Sequence, residues 1–323
     1  MRCLCCGRPI KESAKAEEQR SGWHAACVRR FFGTARLPEL SLTAETMEKM
    51  ADECTRRGYT VPGVQKKLSL HLSQGRNEPS RLTLVGYPAG YILKPQTAEY
   101  PALPEAEYLV MQMARATGIA TVPFALMKLG EGGALAYITR RVDRTREGEK
   151  IAMEDFCQLD LRTTADKYKG SYERCGKIVR EYTEMPKFDM TELYLRIVFS
   201  FAVGNSDMHL KNFSLKETSP RSGVYRLSEA YDMLPVNIVL PTDNDETALT
   251  LNGKNRNLHR SDFLALAKNF GIDAKPAEKM TEAVIAKREE YLALCEESYL
   301  PTEQKTALCD LIQKRTDILK GTR

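Results

Sequence analysis

Between Gly204 and Phe213 the sequence reads GNSDMHLKNF, directly after the apolar run LYLRIVFSFAV. It places Asp207 five residues before Asn212, the spacing of a phosphoryl-transfer catalytic loop. In such a loop the aspartate accepts a proton from the attacking hydroxyl, and the asparagine ligates magnesium held on the nucleotide phosphates. A second acidic ligand is available at Asp232, in the segment EAYDMLP. Taken alone, this pair also fits an ordinary turn that follows a buried helix.

Two upstream segments supply candidate partners for nucleotide phosphates. The segment TVPGVQKKLSL is a glycine-containing turn that leads into a strand-like run, and its backbone N–H groups and lysines suit a loop over anions. The segment GYILKPQ predicts a short apolar strand that carries Lys94, whose ammonium could neutralise phosphates. A strand lysine at this position could equally extend its charged end into solvent.

The next segment, Pro104–Ile119, has apolar residues at helical spacing and two glutamates, Glu105 and Glu107, in its first turn. Either glutamate could pair with Lys94, as the ion pair that orders a kinase active site requires. Both could instead only complement the positive end of the helix.

The order of these pieces indicates a fold class. Two-lobed protein kinases have the same order of elements: a turn and a strand, a strand with a lysine, a helix with a glutamate, an apolar strand, a loop from Asp to Asn, and a metal-binding aspartate. The usual H-R-D and D-F-G strings of those kinases are missing here. We therefore predict an α+β, protein-kinase-like fold with two lobes. The N-lobe is expected to be small and mixed, and the C-lobe mainly helical.

The chain also resembles a known family. Eight blocks in order are similar to the signature of HipA-type serine/threonine kinases, the toxins of bacterial toxin–antitoxin modules. The similarity runs from about Val61 to about Lys254, and the blocks are PGVQKKLSL, YILKPQ, AEYLVMQMARATGI, RRVDR, MEDFCQL, KYKGSY, GNSDMHLKNFSL and YDMLP.

This resemblance implies roles for individual residues. Asp207 would be the catalytic base, Asn212 and Asp232 would hold magnesium, and Lys94 would contact the phosphates of ATP, with Glu107 also at the nucleotide site. His209 and Lys211 would orient or neutralise the transferred phosphoryl group. The remaining nucleotide contacts are expected from the loop over ATP and from the hinge that carries the adenine: Val61, Gly63, Val64, Gln65, Lys66, Lys67, Arg140 and Val142.

A departure from the family pattern lies just before this loop. Several family members carry there a serine whose autophosphorylation ejects the loop and switches the enzyme off, whereas this chain has Thr60. Phosphorylation of Thr60 would add up to about two negative charges beside the nucleotide phosphates, which favours a rearranged loop. Thr60 could also be an ordinary strand or turn residue.

The N-terminus departs further, because longer family members begin with an extra subdomain for which this chain has too little room. Instead, Cys3 and Cys6 form a C-x-x-C pair, and His24 and Cys27 form an H-x-x-C pair. These pairs have the spacing of a closed structural zinc site, with Cys5 as the spare thiol. Unliganded buried thiols and a disulfide are the alternatives. A metal would let Trp23, Phe31 and Phe32 pack onto the N-lobe.

Length and composition agree with this organisation. The 323 residues suffice for two lobes and a small appendage, and we expect a zinc knuckle over 1–36, an N-lobe over 37–141 and a C-lobe over 142–323. A net charge of +5 permits but does not require an acidic partner. No apolar run is long enough to span a membrane, and the scattered cysteines suit the cytoplasm. Expected helices are 43–58, 191–203, 261–270, 277–297 and 302–319.

The predicted function is transfer of the γ-phosphate of ATP, with Mg²⁺, to a serine or threonine of a protein. The resemblance suggests an aminoacyl-tRNA synthetase as the protein substrate and a helix-turn-helix antitoxin as partner, with DNA reached only through that antitoxin. A separate polypeptide could supply the missing N-terminal subdomain. Two alternatives stay open: a small-molecule kinase on the same scaffold, and a non-catalytic protein that binds ATP or a partner.

Overall fold

The computed structural model describes residues 1–40, 67–73, 79–83, 90–130 and 133–321. The predicted helix over 43–58 and the loop residues before Lys67 lie outside these ranges. The chain divides into two compact units. Unit 1 comprises Met1–Tyr108 and Val122–Gly148, and unit 2 comprises Leu109–Thr121 and Glu149–Arg323. The first 36 residues thus belong to unit 1, whose last segment ends seven residues beyond the predicted boundary at 141.

Unit 1 contains a mixed sheet of six strands among its described residues, in the spatial order β1-β3-β2-β4-β6-β5. Neighbouring strands are antiparallel except β1 and β3, which are parallel. In β2 the apolar side chains of Leu68 and Leu70 are buried while Ser69 is exposed, which is the alternation of a half-buried strand. The strands are β1 (Glu39–Leu40), β2 (Leu68–Ser73), β3 (Arg81–Thr83), β4 (Tyr91–Lys94), β5 (Phe124–Leu129) and β6 (Ala134–Arg140).

Two short helices, α1 (Ala16–Ser21) and α2 (Ala25–Phe32), precede the sheet in unit 1. Trp23, Phe31 and Phe32 are buried, and the rings of Phe31 and Phe32 lie 5.9 Å and 5.3 Å from that of Tyr91 in β4. The aromatic residues of the N-terminal segment therefore pack against the sheet, as the sequence predicts.

Helix α3 (Leu103–Ala116) has the predicted apolar spacing. Leu109, Val110, Met113 and Ala114 are completely buried. Its first six residues belong to unit 1 and the rest to unit 2.

Unit 2 is mainly helical. Its longest apolar helix, α6, begins with Pro186 at a position where the missing N–H has no cost, and its residues from Leu193 onward are almost all buried. The helices are α4 (Phe156–Leu159), α5 (Tyr172–Tyr182), α6 (Pro186–Ala202), α7 (Val236–Val239), α8 (Arg260–Asn269), α9 (Ala274–Ala286), α10 (Arg288–Glu296) and α11 (Thr302–Lys320).

The chain turns sharply after α6 at Gly204. This glycine has a φ of +71°, and a Cβ there would meet the side chain of Leu311 at 2.8 Å. The backbone conformation favours glycine, and any larger residue would also have to displace the end of the Leu311 side chain. A three-stranded antiparallel sheet joins β7 (Met153–Asp155), which precedes α6, to two strands after the turn, in the order β7, β8 (Ser214–Glu217) and β9 (Tyr225–Leu227).

The expectation of one helix over 277–297 is wrong, because α9 ends at Ala286 and α10 begins at Arg288. Helix α10 contacts residues from other parts of the chain. The Tyr291 hydroxyl lies 2.5 Å from that of Thr117, and the Arg288 guanidinium donates to the Thr316 hydroxyl at 2.6 Å. The helices expected over 191–203, 261–270 and 302–319 are present with shifted ends. No helix among the described residues has both the length and the apolar character needed to cross a membrane.

Candidate active site

The loop after α6 is closed by hydrogen bonds to the backbone carbonyl of Asp207. The Asn212 side-chain amide donates to this oxygen at 2.7 Å, and the His209 backbone N–H donates to it at 2.8 Å. Asn212 is buried. The five-residue spacing therefore produces a compact turn in which the Asn212 nitrogen is engaged. The Asn212 side-chain oxygen is the atom with the chemistry of a magnesium ligand.

The Asp207 carboxylate is positioned by a tyrosine. The Tyr168 hydroxyl donates to Oδ1 of Asp207 at 2.6 Å. Burial, together with the negative charge of Asp207, raises the pKa of Tyr168, so the phenol stays protonated and acts as the donor. The sequence alone assigns Tyr168 no role, because the block KYKGSY that contains it does not show that its hydroxyl meets Asp207, 39 residues later.

His209 lies beside this pair. It is buried, and its ring contacts the Tyr168 ring edge to face at 5.0 Å. Burial lowers the pKa of His209, Asp207 opposes this effect and Lys167 adds to it, which leaves the imidazole neutral near pH 7. A neutral imidazole can orient a phosphoryl oxygen by hydrogen bonding but adds no charge. Of the two predicted roles for His209, orientation is the one that fits its environment.

Lys211 has an acidic partner within unit 2. Its ammonium lies 2.7 Å from Oδ2 of Asp155. Asp155 also caps α4, because its carboxylate accepts the backbone N–H of Gln158 at 2.9 Å. The predicted contact of Lys211 with the transferred phosphoryl group stays a prediction, and it would require Lys211 to share or leave Asp155.

Asp232 is held near the same loop by its neighbour. The Tyr231 hydroxyl lies 2.5 Å from that of Ser214 and donates to the Lys211 carbonyl at 3.1 Å. Asp232 has a φ of +54°, an uncommon conformation for a residue other than glycine that is enriched at functional sites. Its charge also acts on His209, whose pKa it raises slightly against the larger effect of burial. Asp232 is therefore within electrostatic range of the loop that carries His209.

In unit 1, Lys94 at the end of β4 forms a buried ion pair. Its ammonium lies 2.5 Å from Oε1 of Glu107 in α3, and the two side chains are 3% and 0% exposed. The ammonium also lies 5.2 Å from the ring centre of Tyr137. The partner is thus Glu107 and not Glu105, whose carboxyl pKa is raised by burial. The role of Lys94 at nucleotide phosphates stays a prediction.

The other predicted nucleotide contacts are only partly described. Arg140 is the last residue of β6 and pairs with Tyr91 of β4, and Val142 follows two residues later. Lys67 is exposed and directly precedes β2. The rest of the predicted loop lies outside the described residues: Thr60, Val61, Gly63, Val64, Gln65 and Lys66.

On the predicted phosphoryl-transfer function, the Tyr168→Phe variant is expected to transfer phosphate about ten- to a hundredfold more slowly, with an unchanged KM for ATP. A hydrogen bond to a charged group contributes about 1.5–3 kcal/mol, and each 1.4 kcal/mol is about tenfold in rate. Steady-state kinetics with ATP as the varied substrate measures this split. Tyr182→Phe, at an exposed tyrosine of α5, is the control and should behave as wild type. Equal rates in both variants would show that the Tyr168 hydroxyl does not assist the transfer.

The predicted metal ligands at the N-terminus also come together. The ligand atoms of Cys3, Cys6, His24 and Cys27 all lie within 4.8 Å of one another.

The sequence of this chain is similar to those of known proteins. The model of the HipA-like C-terminal domain family matches residues 59–291. A Haemophilus influenzae protein named "Putative kinase" is 24% identical over 98% of this chain and 97% of its own length. The Sinorhizobium fredii protein named "Putative kinase Y4dM" is 33% identical over 54% of this chain, and the match spans 44% of that relative.

Two solved structures share the fold. HipA of Shewanella oneidensis, from a complex with HipB and operator DNA, matches with a TM-score of 0.66 and 18% identity over 84% of this chain and 71% of that one. The Helicobacter pylori proinflammatory kinase CtkA matches with a TM-score of 0.54 and 14% identity over 78% of this chain and 94% of that one. Both matches support the predicted kinase-like α+β fold.

Proposed function

Because the chain belongs to the HipA-like C-terminal domain family, we propose that it is a kinase that transfers the γ-phosphate of ATP to a serine or threonine of a protein. The observation that carries this proposal is the loop of unit 2. In it the Asp207 carboxylate is held by Tyr168, and Asn212 is hydrogen-bonded to the Asp207 backbone. The segment that carries Asp232 is fastened to the end of the same loop.

Each of these residues has a step that suits its chemistry. Asp207 accepts the proton of the attacking hydroxyl. Asn212 and Asp232 offer an amide oxygen and a carboxylate, the ligands that magnesium prefers, and would hold the ion whose charge stabilises the transferred phosphoryl group. Lys94 would contact the phosphates of ATP, with Glu107 holding its ammonium in place. Residues 61–67 would cover the nucleotide.

The partners are part of the same proposal. The Shewanella HipA structure is described as a toxin–antitoxin system with HipB and operator DNA. We propose by analogy that this chain is a toxin with a helix-turn-helix antitoxin, and that it reaches DNA only through that partner. An aminoacyl-tRNA synthetase is the proposed substrate.

The function is tested by incubating the purified chain with γ-labelled ATP and magnesium and offering bacterial lysate proteins and a panel of small hydroxyl compounds as acceptors. We expect label on serine or threonine of a protein. Asp232→Ala removes a metal ligand, so it should abolish labelling and should weaken ATP binding in the presence of magnesium but not in its absence. Label confined to small molecules would favour the small-molecule kinase. The absence of any transfer, with ATP still bound, would favour the non-catalytic alternative.

We further propose that the chain phosphorylates itself at Thr60. Mass spectrometry after incubation with ATP should find one phosphate on the peptide that contains Thr60, and the Thr60→Ala variant should lack it. Thr163→Ala, at a threonine of unit 2, is the control and should keep the phosphate. An active enzyme that carries no phosphate on Thr60 would refute this part of the proposal. It would not affect the proposal that the chain transfers phosphate to other proteins.

A further inference from the structure

The N-terminal segment gathers three thiols and one imidazole at a single point. Around a tetrahedral zinc with bonds of about 2.0–2.3 Å, ligand atoms stand roughly 3.3–3.8 Å apart, and Nδ1 of His24 lies 3.4 Å from Sγ of Cys6. We propose that Cys3, Cys6, His24 and Cys27 bind a structural zinc ion. We propose further that this ion holds the N-terminal segment against the strand and helix that carry Lys94 and Glu107.

The first ligand pair lies on a tight turn. The Gly7 N–H donates to the Cys3 carbonyl at 2.8 Å, and the Cys3 N–H donates to the Arg8 carbonyl at 2.9 Å. Gly7 adopts a φ of +73°, which glycine tolerates without strain. The turn brings the thiols of Cys3 and Cys6 to one side, as a C-x-x-C knuckle requires.

The second ligand pair lies at the start of α2. His24 precedes the helix, and Cys27 lies in its first turn, where its N–H donates to the His24 carbonyl at 2.9 Å. Nε2 of His24 lies 3.3 Å from the Pro9 carbonyl, so this nitrogen carries the proton and Nδ1 presents its lone pair to the thiols. The His24 N–H points at Sγ of Cys3 at 3.4 Å. Such outer hydrogen bonds orient the ligands of protein metal sites.

The alternatives for these cysteines fit less well. All described cysteines are free thiols, so no disulfide occupies the cluster. A disulfide would also use only two of the four groups, and it would not explain why the His24 ring is directed at the thiols. Cys5 lies in the same turn and is buried, yet it is outside the group of four.

The backbone of this segment is fastened to unit 1 beside the metal ligands. The Leu126 N–H of the edge strand β5 donates to the Leu4 carbonyl at 2.8 Å. The Tyr108 hydroxyl donates to the Cys3 carbonyl at 3.4 Å, and Tyr108 directly follows Glu107 in α3. In β4, three residues before Lys94, the Tyr91 hydroxyl donates to the Phe31 carbonyl at 3.4 Å.

A segment of this size buries too little apolar surface to fold alone, so the energy of metal binding becomes folding energy. Zinc would fix the turn and α2 relative to each other. It would thereby keep both contacts, to Tyr108 and to Tyr91, in place at once. Without it we expect the segment to detach and the strand and helix around the buried ion pair to lose their support.

Metal content gives the first test. Elemental analysis of the full chain, purified under reducing conditions, should find about one zinc per chain. Cys6→Ser and His24→Ala should each lose it, whereas the matched control Cys5→Ser should keep it. A wild-type protein free of metal that also fails to take up added Zn²⁺, or a Cys5→Ser protein that loses zinc as Cys6→Ser does, would overturn the assignment.

A second test uses wild-type protein, so that misfolding of a variant does not decide the result. Trp23, the chain's single tryptophan, is 1% exposed, precedes His24 and contacts the Phe31 and Phe32 rings. A zinc chelator should shift its fluorescence to longer wavelength and lower the thermal midpoint, and Zn²⁺ should reverse both changes. Cobalt added instead should give the visible absorption of a tetrahedral thiolate site. Unchanged fluorescence and midpoint after the metal has left would contradict the proposed structural role.

Discussion

Replacing Asp207 by asparagine is expected to reduce phosphoryl transfer by about 10²–10⁴-fold, the usual contribution of a general base. Asparagine keeps the size of the side chain and a hydrogen-bond acceptor for Tyr168 but cannot take the proton of the acceptor hydroxyl. Asp207 is not among the proposed magnesium ligands, so the affinity for ATP should change little. Labelled-ATP kinetics and calorimetric titration with ATP and magnesium measure the two quantities separately.

Asp310→Asn is the control, because Asp310 is an exposed carboxylate on α11. It should retain wild-type transfer and ATP binding. An Asp207→Asn protein that labels itself or its substrate at the wild-type rate would exclude Asp207 as the base. A loss of ATP binding equal to the loss of transfer would assign Asp207 a binding role instead.

The second large effect concerns the ion pair of Lys94 and Glu107. Replacing Lys94 by methionine leaves the Glu107 carboxylate buried without its cation, and breaking a buried pair on one side costs about 3–5 kcal/mol of stability. The double variant Lys94→Met, Glu107→Leu removes both charges and should recover much of that loss. Urea unfolding at neutral pH measures all three proteins, and transfer should be lost in both variants.

The exposed ion pair of Arg81 and Glu39 provides the control within the same unit. Its atoms lie 3.8 Å apart and its side chains are 50% and 59% exposed, so Arg81→Met should cost less than about 1 kcal/mol. If Lys94→Met were as stable as Arg81→Met, the buried pair would not hold the strand and helix together. A double variant less stable than the Lys94→Met single variant would also contradict this role of the pair.

Local patterns predicted the parts of the fold that depend on apolar periodicity. The run before Gly204 is apolar on nearly every side, and it forms a buried helix. The alternation in β2 and the spacing in α3 are equally plain, because burial on one face dictates which residue types recur. The break at Lys287 was missed because the apolar pattern continues through it. Helix α10 makes contacts with residues distant in sequence, including Tyr291 with Thr117, and a local pattern does not encode such contacts.

In the candidate site, too, local spacing predicts some features, whereas contacts formed on folding decide the others. The spacing of Asp207 and Asn212 sets the loop, since hydrogen bonds between residues five apart depend only on local geometry. The choice of Glu107 over Glu105 depends on which face of α3 meets β4, and both glutamates fit the sequence pattern. Tyr168 lies 39 residues before Asp207, and its hydroxyl could be assigned to the carboxylate only after the chain had folded.

The measurement that tests the central claim most directly is phosphoproteomics after brief expression in bacterial cells, comparing the wild-type chain with Asp207→Ala. We predict that wild type adds phosphate to serine or threonine of one or a few cellular proteins and that Asp207→Ala leaves those sites unmodified. The same phosphorylation pattern in both cells, at matched expression, would contradict the proposal that this chain is a protein kinase.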